Sequence, residues 1–177
     1  CFETPKTRVC PEIEAYARRS FPAGRSVLAG ALDLTQRIFG DFTFDPTATT
    51  VSTPVAEVFA KLRGDCQAFA HLQLACLRAL HLPARYVSGY LLTRPPEGQT
   101  ERLVGADASH AWLAVYCPGH GWVDLDPTNN LIVSVDHITI AWGRDYDDVS
   151  PINGAIFGGG AHTVCVEVDV LPAEEDE

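Results

Sequence analysis

Arg63-Gly64-Asp65-Cys66-Gln67-Ala68-Phe69-Ala70-His71-Leu72 is the stretch on which the reading of this chain turns. Gly64 interrupts what precedes it, Asp65 is a residue type that caps helices, and the run from Cys66 to Leu80 is apolar at nearly every position. A helix apolar on all sides has to be buried among other elements. Its first residue is a cysteine. In a first helical turn the backbone N–H groups lack helical acceptors and the peptide dipoles present their positive ends, so a thiolate is stabilised there and a developing oxyanion can be received. The plainer explanation, a small apolar side chain filling a corner of the core, stands beside it on composition alone.

Upstream, Thr53-Pro54 opens another helix, with threonine as N-cap and proline at the first helical position, running to about Leu62. Ser26 to Ile38 repeats at helical spacing with Gly40 placed as a stop, and Phe42-Thr43-Phe44 is a short extended piece. Residues 1–24 read as an irregular lead-in with at most a short turn of helix at Glu12 to Arg19. Downstream of Leu82-Pro83 the period changes to two. Ala84–Leu92, His110–Cys117, Trp122–Leu125, Ile138–Trp142 and Val164–Val170 read as strands, and Thr93–Ala106 and Ser150–Gly160 as loops. Helices followed by an antiparallel sheet make the α+β pattern, in one domain over residues 25–170 with an acidic tail at 171–177.

With 177 residues and 46% hydrophobic content the chain can bury one sizeable core. Thirteen Lys plus Arg against 23 Asp plus Glu give a net charge of −10, which disfavours nucleic acid and anionic membranes as partners. No segment approaches the roughly 18–20 continuous apolar residues of a membrane span, so no membrane insertion is expected. The six cysteines form no CxxC pair and no zinc-like spacing, and no cofactor or structural metal is expected. Cys76, Cys117 and Cys165 lie in apolar periodic segments that suit free buried thiols. The chain therefore reads as an unbridged cytoplasmic protein, with Cys1 and Cys10 the pair that would bridge otherwise. It begins at Cys1 and contains no methionine, which leaves room for further chain upstream.

A nucleophilic thiol needs a base, and the base needs an orienting acceptor. Of the six histidines, His71 lies on another side of the cysteine's helix, His81 at its end, and His120 in a glycine-flanked turn. His110 differs because it starts a strand after a polar loop. Alternation puts His110, Trp112, Ala114 and Tyr116 on one face, and Trp122, Asp124 and Asp126 share a face of the next strand across a short turn. Parity does not choose between Asp124 and Asp126; the strand end marked by Pro127 favours Asp126, which on its own reads equally as a turn residue. Trp112 and Trp122 read as sheet core that could also wall the histidine and aspartate from water.

These blocks together resemble the transglutaminase-like superfamily of papain-like cysteine enzymes, most of all its bacterial transglutaminase-like and candidate-cysteine-protease branch. The resemblance rests on Gly64-Asp65-Cys66-Gln67-Ala68-Phe69-Ala70-His71, Leu82-Pro83-Ala84-Arg85-Tyr86-Val87-Ser88-Gly89-Tyr90, His110-Ala111-Trp112 and Gly121-Trp122-Val123-Asp124-Leu125-Asp126-Pro127-Thr128-Asn129, with Gly143 to Pro151 in support. It spans roughly residues 25–170 and departs from the usual wording mainly at His81, where glycine is more common. It implies a papain-like core, a triad of Cys66 as nucleophile, His110 as base and acid and Asp126 as orienter, and an upstream β-sandwich-like domain in a full-length chain.

The chemistry expected is acyl transfer at an amide through a thioester: hydrolysis of a peptide or isopeptide, or transamidation of protein glutamine if an amine replaces water. Hydrolysis is favoured by the small catalytic unit and the lack of a calcium-type loop of spaced carboxylates. Asp145, Asp147 and Asp148 read as a solvated turn, and Asp145 as a candidate partner for an inward-facing Arg85. Two competing readings are a non-enzymatic interaction module that keeps the fold, and a zinc site on Cys66, His110 and Asp126.

Overall fold

The computed structural model describes residues 3–92, 109–151, 154 and 168–171. Along the chain, α1 (Pro11–Arg18), α2 (Val27–Asp41), β1 (Thr43–Phe44), α3 (Val55–Lys61), β2 (Arg63–Gly64) and α4 (Cys66–Ala79) come first. They are followed by β3 (Ala84–Leu91), β4 (Ser109–Cys117), β5 (Gly121–Asp126), β6 (Leu131–Ile132), β7 (His137–Gly143) and a short α5 (Tyr146–Val149). The α+β expectation therefore holds: N-terminal helices pack on an antiparallel sheet whose strand order is β6-β5-β4-β3-β7.

Helix α4 is the axis of the fold. Every residue from Ala68 to Arg78 is buried, with α1, α2 and α3 packed around it and β3 and β4 beneath it. Leu72, Leu74 and Leu77 are wholly enclosed, and burying each stabilises by about 1.5–3 kcal/mol. A helix enclosed on all sides must also satisfy its polar side chains. Gln73 Nε2 donates to Thr35 Oγ1 at 2.7 Å and to the Ala31 carbonyl at 3.2 Å. Arg78 donates to Thr7 Oγ1 at 2.8 Å and to the carbonyls of Ala84 and Arg144. The helix ends in a Schellman turn: Leu82 N–H reaches the Leu77 carbonyl, His81 N–H reaches that of Arg78, and His81 sits at φ 60°. That left-handed position accounts for glycine being the more usual residue there.

In the sheet, β4 pairs with β3 and β5, and its Ala111, Leu113, Val115 and Cys117 face the helices. Trp112 and Ala114 point the other way and form a small second cluster with Val87. Strand β7 joins the far edge of β3 with a bulge at Ser88/Gly89. Gly89 faces His110 across the ladder, and a Cβ there would lie 2.0 Å from the Ile138 carbonyl oxygen and 2.6 Å from the Trp112 ring. Only glycine lets β7 and Trp112 approach this closely.

Several local expectations are revised. The short helix expected at Glu12 to Arg19 is α1, but it is no irregular lead-in: its Ile13, Tyr16 and Ala17 enter the main core, and Pro11 and two early glutamates suit its start. Pro54 itself occupies the N-cap of α3, one residue later than expected, while Thr53 Oγ1 accepts from Thr50 N–H in the preceding turn. Helix α2 runs through Gly40 to Asp41, capped at its start by Ser26 accepting from Ala29 N–H. Arg85 finds no carboxylate at Asp145; its guanidinium lies between the Trp122 and Trp142 rings, 4.4 and 4.5 Å from their centroids. Asp145 is not in a solvated turn but buried, capping α5 by accepting from Asp147 N–H. Trp122 is exposed on the sheet surface rather than part of the core. The expected Thr93–Ala106 loop lies outside the described residues, as do most of the Ser150–Gly160 loop, the 164–170 strand and the acidic tail.

Candidate active site

The parallel pair of β1 with β2 holds Gly64 in place, where a Cβ would meet that of Ala68 at 2.7 Å. Asp65 then caps α4: its Oδ1 accepts from Ala68 N–H at 2.8 Å and its carbonyl from Phe69 N–H at 3.1 Å. With those two donors taken, the N–H groups of Cys66 and Gln67, two residues that line the cleft, are the ones in the first turn that lack helical acceptors. The cleft encloses about 350 Å³, with Cys66, Gln67, Tyr90, His110, Ile140 and Tyr146 among its walls.

His110 is the second residue of β4 and is buried. Its Nε2 donates to Asp126 Oδ2 at 2.7 Å, and its ring lines the same cleft as Cys66. Because Nε2 is committed to the carboxylate, Nδ1 is the nitrogen left for the thiol. Asp126, the last residue of β5, is fully buried. Its Oδ1 accepts from the backbone N–H groups of Thr128 and Asn129 at 2.9 and 3.2 Å. Its Oδ2 accepts from His110, from Asn129 Nδ2 at 2.7 Å and from His137 Nε2 at 3.1 Å. The structure thus joins His110 to Asp126 and places Cys66 and His110 on the walls of the same cleft. Asp124, which parity left equal, instead accepts from Trp112 Nε1 at 3.1 Å.

Burial alone would lower the His110 pKa, but hydrogen bonds to Asp126 and Cys66 and their negative charge outweigh it and hold it up at about 9. Burial would raise the Asp126 pKa, but hydrogen bonds from His110, Asn129 and His137 and the His110 charge pull it down to about 2. Trp112, wholly enclosed, tilts against the His110 ring at 6.0 Å and excludes water from that side. His71 is structural: buried, stacked on Tyr86 at 4.8 Å and accepting from Tyr146 N–H, with burial pushing its pKa down to about 4. His81 and His120 are exposed in turns.

His137 and Asn129 escaped the sequence reading. His137, like His110, is a histidine at a strand start, but its nearness to Asp126 follows from β7 crossing to the far edge of β3. Ligand atoms of His110, Asp126 and His137 lie within 4.8 Å of one another. Two nitrogens or oxygens on a tetrahedral zinc stand about 3.3 Å apart with lone pairs converging on the ion. Here the 2.7 Å contact is an N–H···O bond, and Asp126 Oδ2 already receives three N–H donors. The group is spaced as hydrogen-bonded partners, and Cys66 is not among its atoms, so among the described residues it is not the Cys66–His110–Asp126 set considered from sequence.

Residues 14–127 match the description of the transglutaminase-like superfamily. The chain belongs to that superfamily. It is 45% identical over 169 residues to an uncharacterized protein of Mycobacterium tuberculosis, covering 93% of this chain and 54% of that protein. It thus spans about half the length of the curated relatives it matches. Among solved structures it is similar to a candidate cysteine protease of Cytophaga hutchinsonii, with 27% identity and a TM-score of 0.69 over 84% of this chain and 47% of that one. It is also similar to the periplasmic domain of TgpA from Pseudomonas aeruginosa, with 28% identity and a TM-score of 0.52 over 72% of this chain and 45% of that one. Membership and fold together support an enzymatic activity of the acyl-transfer or hydrolytic kind.

The likeness to a periplasmic domain overturns the cytoplasmic expectation. That expectation rested on unbridged cysteines, and Cys10, Cys66, Cys76 and Cys117 are indeed free, with Cys1 and Cys165 outside the described residues. Free thiols do not fix the compartment, however: Cys76 and Cys117 are buried, and a thiol shielded from oxidant stays reduced anywhere. No described helix is long and apolar enough to cross a membrane.

Proposed function

We propose that this domain hydrolyses a peptide or isopeptide amide through a thioester, with Cys66 as nucleophile, His110 as base and acid, and Asp126 as the group that orients His110. The observation that carries the reading is the position of His110, which shares the cleft with the cysteine that opens α4 and is hydrogen-bonded to a buried carboxylate. Cys66 sulfur attacks the amide carbonyl carbon while its proton resides on His110 Nδ1. The oxyanion is received by the N–H groups of Cys66 and Gln67. Collapse breaks the C–N bond, and the departing amine takes the proton from His110. Water then attacks the thioester, delivering a proton to His110, and the acid leaves as the thiol is restored. An amine in place of water would give transamidation by the same steps.

We place this chemistry outside the cytoplasm, in keeping with the TgpA domain. The test is a panel of peptide and isopeptide amides, with and without a primary amine acceptor, read by intact mass. The reading expects an acyl adduct on Cys66, lost in C66A while that variant stays folded, and discharged by water without the acceptor. Turnover that persists in C66A would end it.

A further inference from the structure

His137 has no part in the steps above, yet its position calls for an explanation. Its side chain is 1% exposed, its ring packs edge-to-face with Trp112 at 5.2 Å, and its Nε2 lies 3.1 Å from Asp126 Oδ2, the oxygen that also receives His110. Its other nitrogen, Nδ1, is buried with no hydrogen-bond partner among the described residues. Leucine or phenylalanine could fill such a space without stranding a polar atom, and a stranded atom costs stability. The orphan also fixes the tautomer, because a ring donating from Nε2 keeps Nδ1 as a bare acceptor, whereas the opposite tautomer would strand a buried N–H and leave two lone pairs facing at 3.1 Å.

We infer that His137 is a positioning residue of the His110–Asp126 pair: donating from Nε2 to the shared carboxylate oxygen, it holds Asp126 between two imidazoles and divides the charge that Asp126 presents to His110. A carboxylate oxygen with three donors is a weaker base than one with two, so it grips the His110 imidazolium less tightly. That matters for the proposed chemistry, on which this inference rests. The imidazolium must give its proton to the leaving amine, and a grip that is too strong would slow that step. The titratable groups facing His110 among the described residues are Cys66 from α4, Asp126 from β5 and His137 from β7. The pull of His137 on Asp126 runs in the same direction, towards an ionised carboxylate.

The test compares wild type, H137L and H137Q in the whole chain, by the pH dependence of Cys66 alkylation with iodoacetamide and by ring NMR titration of His110. Leucine keeps the volume and removes the donor, while glutamine restores an N–H near the Nε2 position. H137L should move the His110 midpoint upward by about half a pH unit or more, and H137Q should return it towards wild type. A midpoint unmoved in H137L, or displaced equally in both variants, overturns the inference. If H137L fails to fold, nitrogen-15 shifts of the wild-type His137 ring decide. Nε2-protonated through the range in which His110 titrates supports the assignment, and Nδ1-protonated refutes it. Failure of the acyl chemistry would appear separately, as wild-type Cys66 reacting no faster than an ordinary thiol, while the His110 titration would still report on His137.

Discussion

Replacing Asp126 by asparagine changes one oxygen of a buried carboxylate into an amide nitrogen and removes its charge. If the amide oxygen keeps the Thr128 and Asn129 backbone donors, the new NH2 group faces the N–H groups of His110, Asn129 and His137. A charge-assisted bond such as that from His110 contributes about 1.5–3 kcal/mol, and breaking a buried pair by removing one partner costs about 3–5 kcal/mol. The His110 value of about 9 lies above its unfolded value of 6.5, so its share of stability is complete below pH 6.5 and fades as pH rises through 9. The Asp126 value of about 2 lies below 3.8, so that carboxyl stabilises above pH 3.8 and ceases to as pH falls through 2. In D126N the carboxylate no longer opposes the effect of burial, and the His110 midpoint should fall well below 9. Urea denaturation of both proteins at pH 6 and pH 10, with NMR titration of His110, reads both effects. The expected stability gap is about 3–5 kcal/mol at pH 6 and narrows towards pH 10. A gap equal at both pH values, with His110 of D126N still titrating near 9, would refute the coupling.

Further outcomes follow from the surrounding fold. Gly89→Ala places a methyl against the Ile138 carbonyl and Trp112 in the strand that faces His110. It should destabilise by about 1–3 kcal/mol in urea titration and slow Cys66 alkylation, and unchanged stability would contradict the close approach. His81→Gly relieves the left-handed residue that ends α4, exposed and far from the cleft. A gain of about 0.5–1 kcal/mol is expected with alkylation unaltered, and a loss would mean that the His81 side chain matters.

Much of the site was legible because local rules and distant packing agreed. The run from Cys66 to Leu80 states its own burial, and Asp65 its own cap; both are decided within a few residues. The pairing of His110 with Asp126 was reachable because a short turn joins their strands, so parity and strand end sufficed. What stayed illegible depended on strands that are neighbours only through the sheet. His137 reaches Asp126 because β7 docks beside β3, and Arg85 of β3 meets Trp142 on neighbouring β7 and Trp122 on β5, one strand beyond β4. No alternation pattern encodes which strand lies beside which. The compartment was illegible for another reason: buried free thiols look alike in any cellular space.

The central claim, a thiol made nucleophilic by its place at the start of α4 and by His110, is tested most directly by timed iodoacetamide labelling of the native protein near neutral pH. Peptide mass mapping then ranks the thiols. Cys66 should react first and by a wide margin, and Cys76, fully buried with its pKa pushed up to about 12, should stay unlabelled until the protein unfolds. Labelling of Cys66 no faster than of Cys76 or Cys117 would contradict the account.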